Sequence, residues 1–385
     1  MVGVRITQQD IATRAGVHVT TVSLALRNHP SLPPVTRDKI QHLANEMGYR
    51  PDPALSALMA YRRGTKVNRH NAASRAAKGY GTVAWVTNYP TRDSWSAGSG
   101  TCFAIYRESA AERLARHGYQ LEDFWLREPG LTAKRASKIL FSRGIRGLLI
   151  CPLPTDRGHL SLDWDKFSAV SFGYSIVRPK LHLFTAAHYR AVIATMRELR
   201  SLGYRRIGLV ISSGMDERMD RLWSSAYRSQ MAIVPQSQSI PVLTYEDDHP
   251  RYRESYYLEG RKLFNTWFQR HRPEVVISTS HFLPQWADQL GYRIPDDLGV
   301  VNPILQEKPE ARGISGIVEA TRQIGHAAAE FLVAMMQRGE YGIPECPQQI
   351  LIEGKWFQGK TVKKTEPPAI SQAGTTTAAA EVIPV

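Results

Sequence analysis

Thr20, Thr21 and Leu24 recur on one side of a short helical pattern, and short side chains so spaced can meet base edges in the major groove of a duplex. Their setting supports that chemistry. Thr7-Gln8-Gln9-Asp10 has the form of a capping box, which starts a helix by pairing hydroxyl with amide and carboxylate with amide. Ile11, Ala12 and Ala15 give that helix one apolar face. Gly16 lets the chain reverse, and Val19, Val22 and Leu26 give the next helix a matching face. A plain helical hairpin satisfies the same pattern, so the motif alone leaves both readings open.

Charge separates them. Residues 1–80 carry twelve Lys and Arg against four Asp and Glu, a surplus of 8 out of the chain's net +14. Arg5, Arg14, Arg27, Arg37, Lys39, Arg50, Arg62 and Arg63 lie on the segment that holds the helix-turn-helix pattern, as phosphate neutralisation requires. A merely solvated basic face has no reason to concentrate there.

Asp10-Ile11-Ala12, Ala15-Gly16-Val17, Thr21-Val22-Ser23, Thr36-Arg37 and Gly48-Tyr49-Arg50-Pro51-Asp52, with Ala54 and Leu58, together resemble the headpiece of the lactose-repressor (LacI) family. Pro51 suits a first helical position, so residues 51–58 start a further helix, the family's hinge helix by resemblance. The resemblance implies DNA contacts from Thr7, His18, Val19, Thr20, Thr21, Leu24, Arg27, Asn28 and Tyr49. It also places Leu58, beside Met59, as the wedge that parts a central base step in the minor groove. Two positions depart from the family. His18 replaces the usual serine cap, and imidazole is expected to start the second helix less firmly. Leu24 replaces a polar base reader, which shifts expectation toward contact with a thymine methyl group.

A chain of 385 residues with 43% apolar content exceeds one typical domain and is long enough for a sizeable core. The sequence shows no run of eighteen apolar residues, and its start reads as a capped polar helix instead of a secretion signal, so the expected location is the cytoplasm without membrane contact. Cys102, Cys151 and Cys346 are odd in number and widely spaced, which argues against a disulfide framework and against zinc. No metal and no cofactor are expected.

Residues 62–80 are basic and poor in apolar anchors, the composition of a linker. Residues 361–385 are low in complexity, the composition of a disordered tail. Between them runs a strand-then-helix rhythm. Strands are expected at 82–86, 120–125 and 147–150, and a second set at 206–211, 274–277 and 298–301, with helices near 103–117, 217–232 and 254–271. This is the pattern of two parallel sheets, whose strand ends face a shared cleft suited to a small molecule. Leu202-Gly203-Tyr204, Gly291-Tyr292-Arg293-Ile294-Pro295-Asp296-Asp297 and Ile324-Gly325 resemble landmarks of the periplasmic-binding-protein-like core that family members carry. The expected architecture is therefore an all-α helix-turn-helix headpiece with hinge helix (1–61), a linker (62–80), an α/β two-lobed core (81–360) and a tail (361–385).

Catalysis finds no foothold, because a Walker loop, a GxGxxG after a strand, a GxSxG elbow and an HExxH are all missing. His182, His188, His281 and His326 are scattered, and a lone histidine is usually structural. The carboxylates with which sugar-binding relatives grip hydroxyls are also missing around Val170–Tyr174, Ser278–His281 and Val300–Leu305. Aromatic and cationic residues remain near the expected cleft: Tyr89, Phe103, Tyr106, Tyr174, Trp223 and Arg221, with Arg218 an equal contender for the cationic role. Rings and a guanidinium suit a flat or anionic ligand. Phe103 also matches an aromatic contact of purine-binding relatives by resemblance. The combined expectation is a homodimeric, sequence-specific transcriptional regulator, a repressor, which binds a palindromic double-stranded DNA operator and responds to a small-molecule effector. The alternative keeps DNA binding but leaves the core only dimerisation.

Overall fold

A computed structural model describes residues 6–26, 32–49, 81–96, 101–246, 254–280, 282–306, 310 and 313–363. The chain divides into two compact units, Met1–Ala76 and Ala77–Val385.

The first unit contains α1 (Gln8–Ala15), α2 (Val19–Ala25) and α3 (Pro34–Glu46). The capping box forms as its residues dictate: the Thr7 amide donates to the Asp10 carboxylate at 2.8 Å, and the Asp10 amide donates to the Thr7 hydroxyl at 3.3 Å. Gly16 ends α1 at φ 67°, a left-handed conformation that costs glycine little, and the chain reverses there. Ile11, Ala12, Val22, Ala25, Ile40 and Ala44 fill a small core, with Val19 and Leu26 packed at its edge. Gln41 fixes α3 to α2 by donating to the Ala25 carbonyl at 2.7 Å.

The second unit holds two sheets of six strands. In the first lobe β1 (Gly81–Thr87), β2 (Tyr119–Trp125), β3 (Gly147–Ile150), β4 (Ser168–Phe172), β5 (His182–Ala186) and β11 (Gln349–Ile352) lie in the order β11-β5-β4-β3-β1-β2, all parallel. Helices α4 (Thr101–Arg116) and α5 (Ala133–Ser142) connect the early strands. The second lobe contains β6 (Ile207–Ser212), β7 (Leu243–Tyr245), β8 (Val275–Ser278), β9 (Gly299–Leu305), β10 (Ser315–Val318) and β12 (Lys355–Phe357), in the order β12-β10-β9-β8-β6-β7. Only β12 runs antiparallel to its neighbour among these described strands. Helices α6 (His188–Ser201), α7 (Ser213–Arg218), α8 (Leu222–Met231), α9 (Glu254–His271) and α10 (Leu283–Gln289) belong to it, whereas α11 (Thr321–Arg338) returns to the first lobe.

Several strands are buried on both faces, so they read as apolar runs instead of alternating patterns; β3, Gly147–Ile150, is buried throughout. The single helix expected near 217–232 is two, α7 and α8. They meet at Asp220 and Arg221, both at positive φ, where the backbone turns left-handed and interrupts the helix. The chain passes between the lobes three times: at Ala187, at Glu319-Ala320 and at Glu353-Gly354. Gly325 lets α11 press on α4, since a Cβ there would stand 2.1 Å from the Ser109 hydroxyl and 2.5 Å from the Tyr106 carbonyl oxygen. Thr361–Lys363, expected to begin the tail, attach to the second lobe: the Thr361 hydroxyl donates to the Val300 carbonyl at 2.6 Å and the Lys363 amide to the Tyr204 hydroxyl at 3.0 Å.

Candidate nucleic-acid interface and interlobe site

In the first unit, burial of Val22 and Ala25 fixes the roll of α2. That leaves Thr20 exposed, with Thr21 and Leu24 partly exposed beside it. His18 caps α2 through its ring: its Nδ1 accepts from the Thr20 amide at 3.3 Å and lies 3.0 Å from the Thr20 hydroxyl. The physical reason is reach, since an exposed imidazole presents an acceptor nitrogen at the height of the first free amides. Thr7 is tied into its capping box, and hydrogen bonds from the Thr7 hydroxyl and amide hold the Asp10 carboxyl below the usual carboxylate range. Val19 is half-buried against the small core, so its side chain is partly committed to packing. Tyr49 is half-buried and its hydroxyl accepts from Gln8 at 3.1 Å, which links the end of the unit to its first helix. Arg27, Asn28, Leu58, Met59 and the expected hinge helix lie outside the described residues.

The interlobe candidates divide sharply. Arg221 does not enter the cleft: its side chain is 67% exposed and it pairs with Glu217 at 2.6 Å. Both effects come from the left-handed turn, which places Arg221 one turn after Glu217 on the outside. Trp223 does not face a ligand space either; it is fully buried in the second lobe's core. Arg218 takes the spanning role. From the end of α7 it donates to the carbonyls of Leu153 at 2.8 Å and Thr155 at 3.1 Å in the other lobe, and lies 3.5 Å from the Asp156 carboxylate.

The aromatic residues of the first lobe do gather at the junction. Tyr106 stacks on Phe172, with ring centres 5.0 Å apart, and on Phe103 at 6.3 Å. Tyr89 is partly buried after β1, and its carbonyl accepts from Trp125 at 2.8 Å. Tyr174 lies 6.2 Å from the His188 ring. Burial pushes the Tyr174 hydroxyl and the Cys102 thiol each up to about 12.

Two crossing residues were not expected. His188, at the first crossing, is 6% exposed and meets the Trp223 ring edge-on at 5.4 Å. Its Nε2 lies 3.3 Å from the Thr185 hydroxyl, and its Nδ1 lies 3.9 Å from the carboxyl of Glu319 at the second crossing. Burial drives His188 down to about 4 and Glu319 up to about 7. The available signal was positional: each follows a strand at a point where a two-lobed chain changes lobes. Among the described residues no group of His, Cys, Asp and Glu is arranged to hold a metal ion, and no helix is long and apolar enough to cross a membrane.

Comparison with known proteins agrees with both units. Residues 7–52 match the family of bacterial regulatory proteins called the lacI family, and residues 196–362 match the periplasmic binding protein-like domain. Solved structures similar to the chain include a lac repressor dimer bound to operator and the anti-inducer ONPF, at 15% identity and TM-score 0.51 over 93% of this chain and 99% of that one. A LacI transcriptional regulator from a Rhodococcus species is similar at 13% identity and TM-score 0.50, over 74% of this chain and 99% of the other. No curated protein matches. The chain is thus built from a LacI-family helix-turn-helix DNA-binding domain and a two-lobed periplasmic-binding-protein-like core.

Proposed function

We propose that the chain is a transcriptional repressor that binds a near-palindromic operator as a homodimer and responds to a small molecule held between its lobes. The observation that carries this reading is α2: its apolar face is consumed by the small core, and Thr20, Thr21 and Leu24 are left on the side available to base edges. One headpiece offers few base contacts, so a twofold protein on a twofold site is the arrangement that supplies specificity. The similar lac repressor structure is a dimer on its operator, which supports the same arrangement here. The effector acts by favouring one relation of the lobes over another. Arg218, which joins the lobes by its own hydrogen bonds, is the contact such a shift must change.

A second reading is favoured by the same arginine. A cleft already bridged by the chain's own guanidinium, and without the carboxylates sugar-binding relatives use, suits a core that only dimerises. Selection of bound sequences from random duplexes, together with the mass of the protein in solution, tests the first proposal. Enrichment of inverted half-sites by a dimer is expected. A monomer that enriches only asymmetric or unrelated sequences overturns it.

A further inference from the structure

Glu319, at the second crossing between the lobes, is a nearly buried acid that has no cation paired with it among the described residues. The Glu319 side chain is 10% exposed, and among the described residues its carboxyl accepts no hydrogen bond; the closest basic atom, His188 Nδ1, is 3.9 Å away. His188 cannot serve as the counter-charge, because its own burial keeps it neutral near pH 7. The arginines described at the end of α7 and the start of α8 are otherwise engaged. Arg218 is spent on two carbonyls and Asp156, and Arg221 pairs with Glu217 on the outside. A buried carboxylate without a partner carries a desolvation cost of several kcal/mol in general, which an arriving positive charge offsets.

The surroundings are suited to such a charge. Burial first, and the charge of Glu319 second, push the Tyr106 hydroxyl and the Cys102 thiol of α4 up. Tyr174 and Trp223 flank His188 on its other sides. Trp223 belongs to the core and Tyr106 is stacked on Phe172 and Phe103, so the partly exposed Tyr174 is the ring available to a cation, and it offers nothing to a carboxylate or phosphate. Among the described residues, three polar atoms at or near this junction are buried without partners: His188 Nδ1, Trp223 Nε1 and the Oγ1 of Thr321, which stands two positions after Glu319.

We propose that the interlobe ligand is a small organic cation, an amine or quaternary ammonium compound, whose charge is received by Glu319, with the Tyr174 ring on the other side of His188. This rests on the reading of the core as a ligand-binding unit. It replaces the anionic or flat ligand suggested by residue types alone. Glu319 sits on a crossing segment, so a ligand held there acts directly where the two lobes are joined.

The test is binding to the full chain, followed by thermal unfolding and calorimetry, with probes of three charges: putrescine, ethanolamine and choline as cations, glucose and ribose as neutral compounds, succinate and phosphate as anions. At least one cation should bind wild type and Arg221→Ala alike. Glu319→Gln should bind that cation at least about thirtyfold more weakly, as loss of one member of a buried charge pair implies. Glutamine preserves shape and removes only charge; unfolding without ligand then shows that the variant is folded. Binding confined to neutral or anionic probes, and altered by Arg218→Ala, leaves the ligand-binding core standing and overturns the cation assignment. Equal cation binding by Glu319→Gln also overturns it. Binding of no probe by wild type removes both.

Discussion

The headpiece and the lobe junction hold their important side chains by contacts of very different reach. In the headpiece Thr7 meets Asp10, and His18 meets Thr20, within one helical turn. At the junction Arg218 meets carbonyls 63 and 65 residues away, and His188 faces Glu319 from a crossing more than a hundred residues earlier. Local contacts are written in short sequence patterns; contacts made by topology are not. The two regions also differ in what a substitution should do, and that difference is open to measurement.

The largest effect should come from Val22→Asp, which places a charge in the small core of the headpiece. Burying an unpaired carboxylate costs several kcal/mol, on the order of the whole stability of so small a unit. DNA binding should vanish while the thermal transition of the two-lobed core stays where it was. A shift of the core transition by more than a degree or so would mean that the two units do not fold as separate bodies.

Next in size is the pH response at the crossings. Folding raises Glu319 from its ordinary 4.5 to about 7, so the folded chain holds a proton that the unfolded chain releases. Stability attributable to this group therefore falls as pH rises from 4.5 to 7, by about 3 kcal/mol at most. His188 is lowered from 6.5 to about 4, and its contribution falls in the other direction, as pH drops from 6.5 to 4. The two slopes offset each other where they overlap. Glu319→Gln should unmask the histidine: urea unfolding across this range should show stability rising up to pH 6.5 and then levelling. The same profile in variant and wild type would contradict the burial of the acid.

Arg218→Ala and Arg221→Ala form a smaller but sharper contrast. The former loses two interlobe hydrogen bonds from a guanidinium only 15% exposed, an expected cost of about 2 kcal/mol in urea unfolding. The latter loses an exposed pair and should cost less than about 0.5 kcal/mol. Equal costs would place Arg221 at the junction after all.

The first two helices of the headpiece were legible in the sequence, because cap, glycine turn and apolar spacing are all local patterns between Thr7 and Leu26. His18 does make the cap contact, at 3.3 Å, while Arg27, Asn28, Leu58, Met59 and the expected hinge helix lie outside the described residues. The core's layers were legible from apolar runs such as Gly147–Ile150 and Ile207–Ser212. Its junction was not. The left-handed pair Asp220-Arg221 turned the expected arginine outward, Trp223 went to the core, and nothing in the types of His188 and Glu319 announced that the topology would bring them together. The expectation for Leu58 falls outside the described residues, and its test is functional: Leu58→Ala should weaken operator binding about tenfold more than binding to random duplex, since a lost wedge leaves phosphate contacts in place.

The most direct test of sequence-specific binding by a twofold regulator is a competition titration of the full chain at fixed salt. The selected duplex competes against a copy with one half-site shuffled and a copy with both shuffled. The intact site should be preferred by at least about a thousandfold over the fully shuffled one. Loss of a single half-site should remove most of that preference. If one half-site, or neither, is bound as tightly as the intact duplex, the chain is not a dimeric operator-binding regulator.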